Sequence, residues 1–131
     1  MPKGSSVASS ARPLRGEIWE FDLRPRKGRE QTGVYPCLVV STDALNRSNF
    51  GTVIVCPITT THRPSFQFRP GLLPSDLRIA DSSWEAKPNW VETDQIVTID
   101  VHERALRHLA TIINRDKLEE IDRWLRTMLS L

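Results

Sequence analysis

From Gly16 onward the chain falls into short blocks of alternating polar and apolar positions. Trp19, Phe21 and Leu23 alternate with Ile18, Glu20 and Asp22, the period-two pattern of a half-buried strand. Cys37 to Ser41 and Thr52 to Cys56 are short runs rich in β-branched and apolar residues, which predicts two central strands. Phe66 and Phe68 alternate around Gln67 and predict a further short strand, with others near Leu77–Ile79, at Trp90–Val91 and over Gln95–Ile99. Leu106 to Ile113 fits strand or helix equally well by periodicity. At the C-terminus Leu118, Ile121, Leu125 and Met128 recur at helical steps, with Trp124 and Leu129 widening the face. Asp116 with Glu119 three residues later has the form of a capping box at the start of that helix. The fold class that follows is mainly β with a C-terminal helix: a small, strongly bent sheet or barrel closed by the helix.

Between these elements lie segments of a different kind. Residues 1–14 are rich in Ser, Gly and Pro and predict a flexible tail ahead of a single domain over 15–131. Arg24 to Gly33 carries Pro25, Gly28 and Gly33 and predicts a loop too long for a tight hairpin. Pro70 to Asn89 is rich in Pro, Ser and Asp and reads mostly as loop.

A length of 131 residues fits one domain, and 39% hydrophobic with 26% charged residues is a soluble globular composition. No apolar run approaches the ~18 residues of a bilayer span, and the first ten residues lack the apolar centre of a secretory signal. Two cysteines make no disulfide framework, and no Cys/His group has zinc spacing. The expectation is a cytoplasmic protein with no membrane association, no metal and no cofactor. The net charge of +2 conceals an asymmetry: up to Tyr35 there are seven basic residues against four acidic ones. Arg24, Arg26, Lys27 and Arg29 cluster in one Pro/Gly loop, which suits contact with a polyanion and equally suits a solvated turn.

Nothing in the chain has the form of a nucleophile elbow or a phosphate-binding Gly-rich loop, and His62, His102 and His108 stand in unrelated contexts. Cys37 and Cys56 sit within predicted buried strands, where core packing is the ordinary role. Two features remain: the basic, carboxylate-bearing stretch from Gly28 to Pro36, and the hydroxyls Thr59 and Thr60 following Cys56-Pro57-Ile58.

Several ordered blocks resemble the MazF/PemK family of toxin–antitoxin ribonucleases. They are Arg15-Gly16-Glu17-Ile18-Trp19 with Asp22-Leu23 and Pro25, then Gly28 with Glu30-Gln31, and Pro36 before Leu38-Val39-Val40-Ser41. Asp43, Asn46, Pro57-Ile58-Thr59, Asp94-Gln95-Ile96 with Thr98, and the terminal helix complete them, spanning nearly all of residues 15–131. The resemblance implies a dimeric SH3-like barrel that cleaves single-stranded RNA at a short sequence without metal. The 2′-hydroxyl attacks the adjacent phosphate and leaves a 2′,3′-cyclic phosphate and a 5′-hydroxyl. It also implies a cognate antitoxin whose disordered tail occupies the RNA channel.

Such a reaction needs a proton taken from the 2′-hydroxyl, charge stabilised on the phosphate, and a proton for the leaving oxygen. The resemblance carries a catalytic hydroxyl to Thr59 and a carboxylate, base or loop anchor, to Glu30. Where the family has Arg before Pro, this chain has Tyr35-Pro36. Tyrosine donates one hydrogen bond but supplies no permanent charge, so a compensating cation is expected among Lys27, Arg29, Arg47 and Arg63, with Arg29 first because it shares its loop with Glu30. Arg24, Arg26, Gln31, Thr60 and Gln95 complete the expected RNA contacts. Trp84 and Trp90 suit either base stacking or core and dimer packing. The tyrosine also leaves two alternatives: a protein on the same scaffold that binds RNA or antitoxin without cutting, and a toxin directed at DNA gyrase, since a related family shares the barrel.

Overall fold

The computed structural model describes residues 12–30 and 32–131. In chain order the elements are β1 (Glu17–Asp22), β2 (Val34–Val39), α1 (Asp43–Asn46), β3 (Thr52–Thr59), β4 (Gly71–Leu72), a 3-10 turn (Pro74–Asp76), β5 (Leu77–Ile79), β6 (Asn89–Val91), β7 (Val97–Asp100), α2 (Val101–Arg104), β8 (Ala105–Ile112) and α3 (Arg115–Met128). The strands form one curled, half-barrel sheet in the order β4-β6-β3-β2-β1-β8-β5. The long strand β3 runs antiparallel to β2 along one edge; its other edge serves β7 over Thr52–Val55 and β6 over Ile58–Thr59. The mainly β architecture with a terminal helix is as the sequence predicts.

Alternation along the central strands feeds two cores, one on each side of the sheet. Ile18, Leu38, Cys56, Ile58 and Val91 face the side covered by Ile121, Leu118 and Leu125 of α3. Trp19, Phe21, Leu23, Cys37, Val39, Val53 and Val55 face the other, with Ile99 and Val101. A strand buried on both sides reads as a nearly continuous apolar run, which is why the Cys37 and Thr52 segments are so uniform.

Three boundaries differ from the sequence expectation, and one segment that fits strand or helix is resolved. Arg12 to Leu14 are packed onto the domain: Pro13 is buried and Leu14 N–H donates to Glu17 Oε1 at 2.8 Å; residues 1–11 of the expected tail lie outside the described residues. The 66–68 segment is a turn rather than a strand: Phe66 N–H donates to the Arg63 carbonyl at 2.8 Å and Arg69 N–H to the Phe66 carbonyl at 3.0 Å, so these backbone bonds close locally, and the two rings stack with centroids 5.1 Å apart. The 105–112 segment is strand β8, hydrogen-bonded between β1 and β5. Helix α3 is capped by Asn114, whose side-chain oxygen accepts from Asp116 N and Lys117 N, two residues earlier than the Asp116 cap predicted. Asn114 satisfies exposed N–H groups of the first turn, the role the sequence pattern gives to Asp116.

Candidate active site

Strand registers bring distant parts of the chain into two adjacent rows. In β2–β3, Cys37 lies opposite Pro57; in β3–β6, Thr59 lies opposite Trp90. Continuing those registers sets Tyr35 beside Thr59 in one row, and Glu92 beside Pro57 in the next. Glu92 N–H donates to the Pro57 carbonyl at 2.9 Å, as that register requires. Side chains two residues apart on a strand share a face, so Tyr35, Thr59 and Glu92 all point away from the Ile58–Val91 core. At this end of the sheet a cavity of about 440 Å³ opens, lined by these three residues together with Ile58, Thr60, Arg63 and Arg69, by Trp84, Glu85 and Lys87 of the long loop before β6, and by Asn89 at the start of that strand.

Thr59 ends β3, and its Oγ1 accepts from Thr61 N–H at 3.1 Å. That bond turns the chain and uses a lone pair, leaving the hydroxyl proton to donate into the cavity. Tyr35 lies over Gly33: a Cβ there would stand 2.9 Å from Tyr35 Cε2, and Gly33 has φ +119°. Trp90, across from Thr59, stacks on His62 with centroids 4.5 Å apart.

The cations of the cavity are Arg63, Arg69 and Lys87, facing the carboxylates Glu85 and Glu92. Arg69 is committed: Nε and Nη2 donate to the two oxygens of Asp94 at 2.8 and 2.7 Å, Nη1 lies 3.1 Å from Glu92 Oε2, and the guanidinium sits 4.9 Å from the Phe66 ring centroid. Arg63 is exposed and has no carboxylate partner among the described residues. Lys87 is paired only loosely, 3.9 Å from Glu85.

Glu92 is 4% exposed, and its Oε1 has no hydrogen-bond partner. Burial pushes its carboxyl above the usual glutamate range, Arg69 opposes this, and Asp94 adds to it. Asp94 moves the other way: burial would raise it, but the hydrogen bonds and charge of Arg69, together with hydrogen bonds from its own backbone and from Gln95, outweigh that and hold it below its ordinary range. Behind this row Cys37 and Cys56 are buried and unbridged. Burial pushes both thiols up, Cys56 to about 12, so neither provides a thiolate.

Of the residues expected from sequence, Thr59, Tyr35, Thr60 and Arg63 meet at this cavity. Glu30 does not line it: its carboxylate accepts from Lys27 N–H at 2.8 Å and pairs with Arg26 at 3.5 Å, the geometry of a loop anchor, and the Lys27 N–H bond holds it below the usual glutamate range. Arg24 is turned onto Asp22 in a separate hollow with Arg104. Lys27 and Arg29 are exposed on their loop, and Gln95 Nε2 donates to the Arg29 carbonyl at 3.4 Å. Arg47 ends α1, exposed. None of these lines the cavity, Arg29 included; Gln31 lies outside the described residues. Arg69, Glu92 and Lys87 also line the cavity and are not among the residues the sequence points to. The signal at Glu92 was a carboxylate directly after the apolar pair Trp90-Val91.

Among the described residues no group of three His, Cys, Asp or Glu side chains is placed to hold a metal ion, and no helix is long and apolar enough to cross a membrane. Comparison with known proteins gives a consistent result. The profile of the PemK-like, MazF-like toxins of type II toxin–antitoxin systems matches residues 14–129. The structure is similar to MazF from Deinococcus radiodurans, with 26% identity, a TM-score of 0.75, and 92% of this chain and 99% of that one covered. It is similar to an endoribonuclease from a mycobacterial species solved in complex with its cognate antitoxin, with 25% identity, a TM-score of 0.66, and 91% and 94% covered. MazE–MazF from D. radiodurans gives 25% identity, a TM-score of 0.67, and 91% and 97% covered.

Proposed function

The chain belongs to the PemK-like, MazF-like toxins of type II toxin–antitoxin systems, and on that premise we propose that it is an endoribonuclease that cuts single-stranded RNA in the cavity at the end of β3. The observation that carries this reading is the shared lining: a strand-end hydroxyl (Thr59), a phenol (Tyr35) and a guanidinium that lies over the Phe66 ring at 5.7 Å but in no ion pair among the described residues (Arg63) converge on one concave site. Those are the groups needed to hold a phosphate whose own neighbouring 2′-hydroxyl is the nucleophile.

In this mechanism a backbone phosphate sits between Thr59 and Tyr35, whose hydroxyls donate to its non-bridging oxygens, while Arg63 and Lys87 offset its charge. The 2′-oxygen bonds to phosphorus, the bond from phosphorus to the 5′-oxygen breaks, and the products carry a 2′,3′-cyclic phosphate and a 5′-hydroxyl. No enzyme atom bonds to the substrate. Arg63 takes the cationic role that the family places just before the proline; Arg29 is the weaker candidate because it does not line the cavity. Removing one preorganised donor to an oxyanion typically costs ~10²–10³ in rate, so a phenol in place of a guanidinium gives a slower enzyme unless Arg63 compensates. The chain works as a homodimer and is restrained by an antitoxin that covers the cavity, as suits its likeness to toxins solved with their antitoxins.

The test is to incubate the protein with long single-stranded RNA in EDTA and map the ends. Cuts at a recurrent short sequence, bearing cyclic phosphates, are expected. RNA that stays intact but binds in a salt-sensitive way would instead make this a non-cleaving RNA-binding protein.

A further inference from the structure

The cavity contains a carboxylate that the mechanism above leaves unused. Glu92 follows β6, opposite Pro57, one row from Thr59 and Tyr35 on the same face. Its two oxygens are treated differently: Oε2 holds Arg69 at 3.1 Å, whereas Oε1 is enclosed and meets no donor. A buried carboxylate oxygen without a donor is costly. A donor arriving with a ligand would remove that cost, and a ribose 2′-hydroxyl in the cavity is such a donor.

From this geometry we infer that Glu92 is the proton acceptor for the 2′-hydroxyl, with Oε1 as the accepting atom and Arg69 fixing the carboxylate through Oε2. The assignment rests on the ribonuclease reading above. As the 2′-oxygen bonds to phosphorus, its proton passes to Oε1. The 5′-oxygen departs with its bonding pair and takes a proton from water, and the hydroxide so formed is neutralised by the proton Glu92 then releases. The enzyme returns to its starting state.

Each neighbour of Glu92 bears on its titration. Arg69, preceding β4, and Arg63, following β3, favour the ionised form, while Asp94 disfavours it. Cys37 and Cys56 are buried beside it as neutral thiols, and Glu85 and Lys87 lie at the cavity's loop wall. A carboxylate whose pKa is raised by burial is a stronger base than a free glutamate, which favours proton abstraction. Glu30, the carboxylate expected from sequence, is bound up in its own loop.

The experiment is single-turnover cleavage of a short oligoribonucleotide across pH by the wild type, Glu92→Gln and Glu92→Asp, with folding checked by circular dichroism and affinity measured on the 2′-deoxy analogue. The wild-type rate is expected to rise with pH through one titration above the ordinary glutamate range. Glu92→Gln is expected to lose at least ~10²-fold in rate together with that limb, while still binding the analogue; Glu92→Asp is expected to keep the limb at a lower rate. A flat wild-type profile overturns the assignment even if neither variant folds. A folded Glu92→Gln that cleaves at the wild-type rate overturns it alone, leaving the ribonuclease reading intact. RNA left uncut by the wild type sinks that reading, and this assignment with it.

Discussion

Tyr35 rests on Gly33: a methyl group at Gly33 would stand 2.9 Å from Tyr35 Cε2, so the phenol takes its place over the strand end only because residue 33 has no side chain. The backbone there is also in the left-handed half of conformational space, at φ +119°. Gly33→Ala therefore meets two obstacles. We expect it to cost about 1–3 kcal/mol of stability, seen as a lower urea midpoint, and to reduce cleavage by displacing the ring. A variant with unchanged stability and rate would mean that the ring moves aside freely and that its position does not matter.

Thr59 and Tyr35 separate two kinds of contribution. Thr59→Ala removes a donor to the phosphate and is expected to lower the cleavage rate by about 10²-fold, with little effect on stability because Thr59 is not in the core. Tyr35→Arg restores the permanent charge that the family carries before the proline and is expected to raise the rate or leave it similar. If Tyr35→Arg collapses the activity while the protein remains folded, the phenol has a chemical role that a guanidinium cannot fill.

Why some of this was legible in the sequence and some was not follows from range. The alternation of β1 and the helical spacing of α3 are local patterns, so neither needs the rest of the chain to be recognised. Thr59 was reachable because it closes a strand readable by itself. Arg69 and Glu92 become meaningful only together, 23 positions apart in sequence, since a buried carboxylate is tolerable only beside its counter-charge. The phenylalanines at 66 and 68 mimic a strand locally, yet one of them is the platform under Arg69. Likewise the charge of the basic loop at 24–29 suits a polyanion contact and a solvated turn equally, and only the fold shows that Asp22 and Glu30 engage two of its arginines.

Asp76 joins the 3-10 turn to the terminal helix. Its carboxylate accepts from Leu73 N–H at 2.8 Å and from Asn114 Nδ2 at 2.8 Å, and Asn114 in turn caps α3. Burial would raise this carboxyl, but those two donors outweigh it and hold it below its ordinary value of 3.8. Its contribution is thus complete above that value and is lost as pH falls through the lower, folded one. Asp76→Ala, leaving both donors unmatched in a buried site, is expected to cost about 1–3 kcal/mol in urea denaturation, with less loss in strong acid, where the wild type has forfeited the same interaction. Equal loss at all pH values would count against an ionised Asp76.

Glu92, the partner of Arg69, is shifted the opposite way from Asp76. Glu92 has its folded-state ionisation raised above the ordinary value of 4.5, so the folded protein binds a proton more readily than the unfolded chain between those limits. Its contribution to stability is therefore greatest at acid pH and declines as pH rises through the folded value. Arg69→Leu removes the neighbour that opposes this shift and also strips Asp94 of the two hydrogen bonds that favour its ionised form. Breaking a buried pair from one side costs about 3–5 kcal/mol, and that loss is expected at neutral pH, where Glu92 must either remain charged without a partner or take up a proton. On acidification both carboxylates become neutral and the gap to the wild type narrows. Urea midpoints of the two proteins from neutral to acid pH measure that convergence; a gap that widens on acidification would mean that Glu92 is not the group left uncompensated.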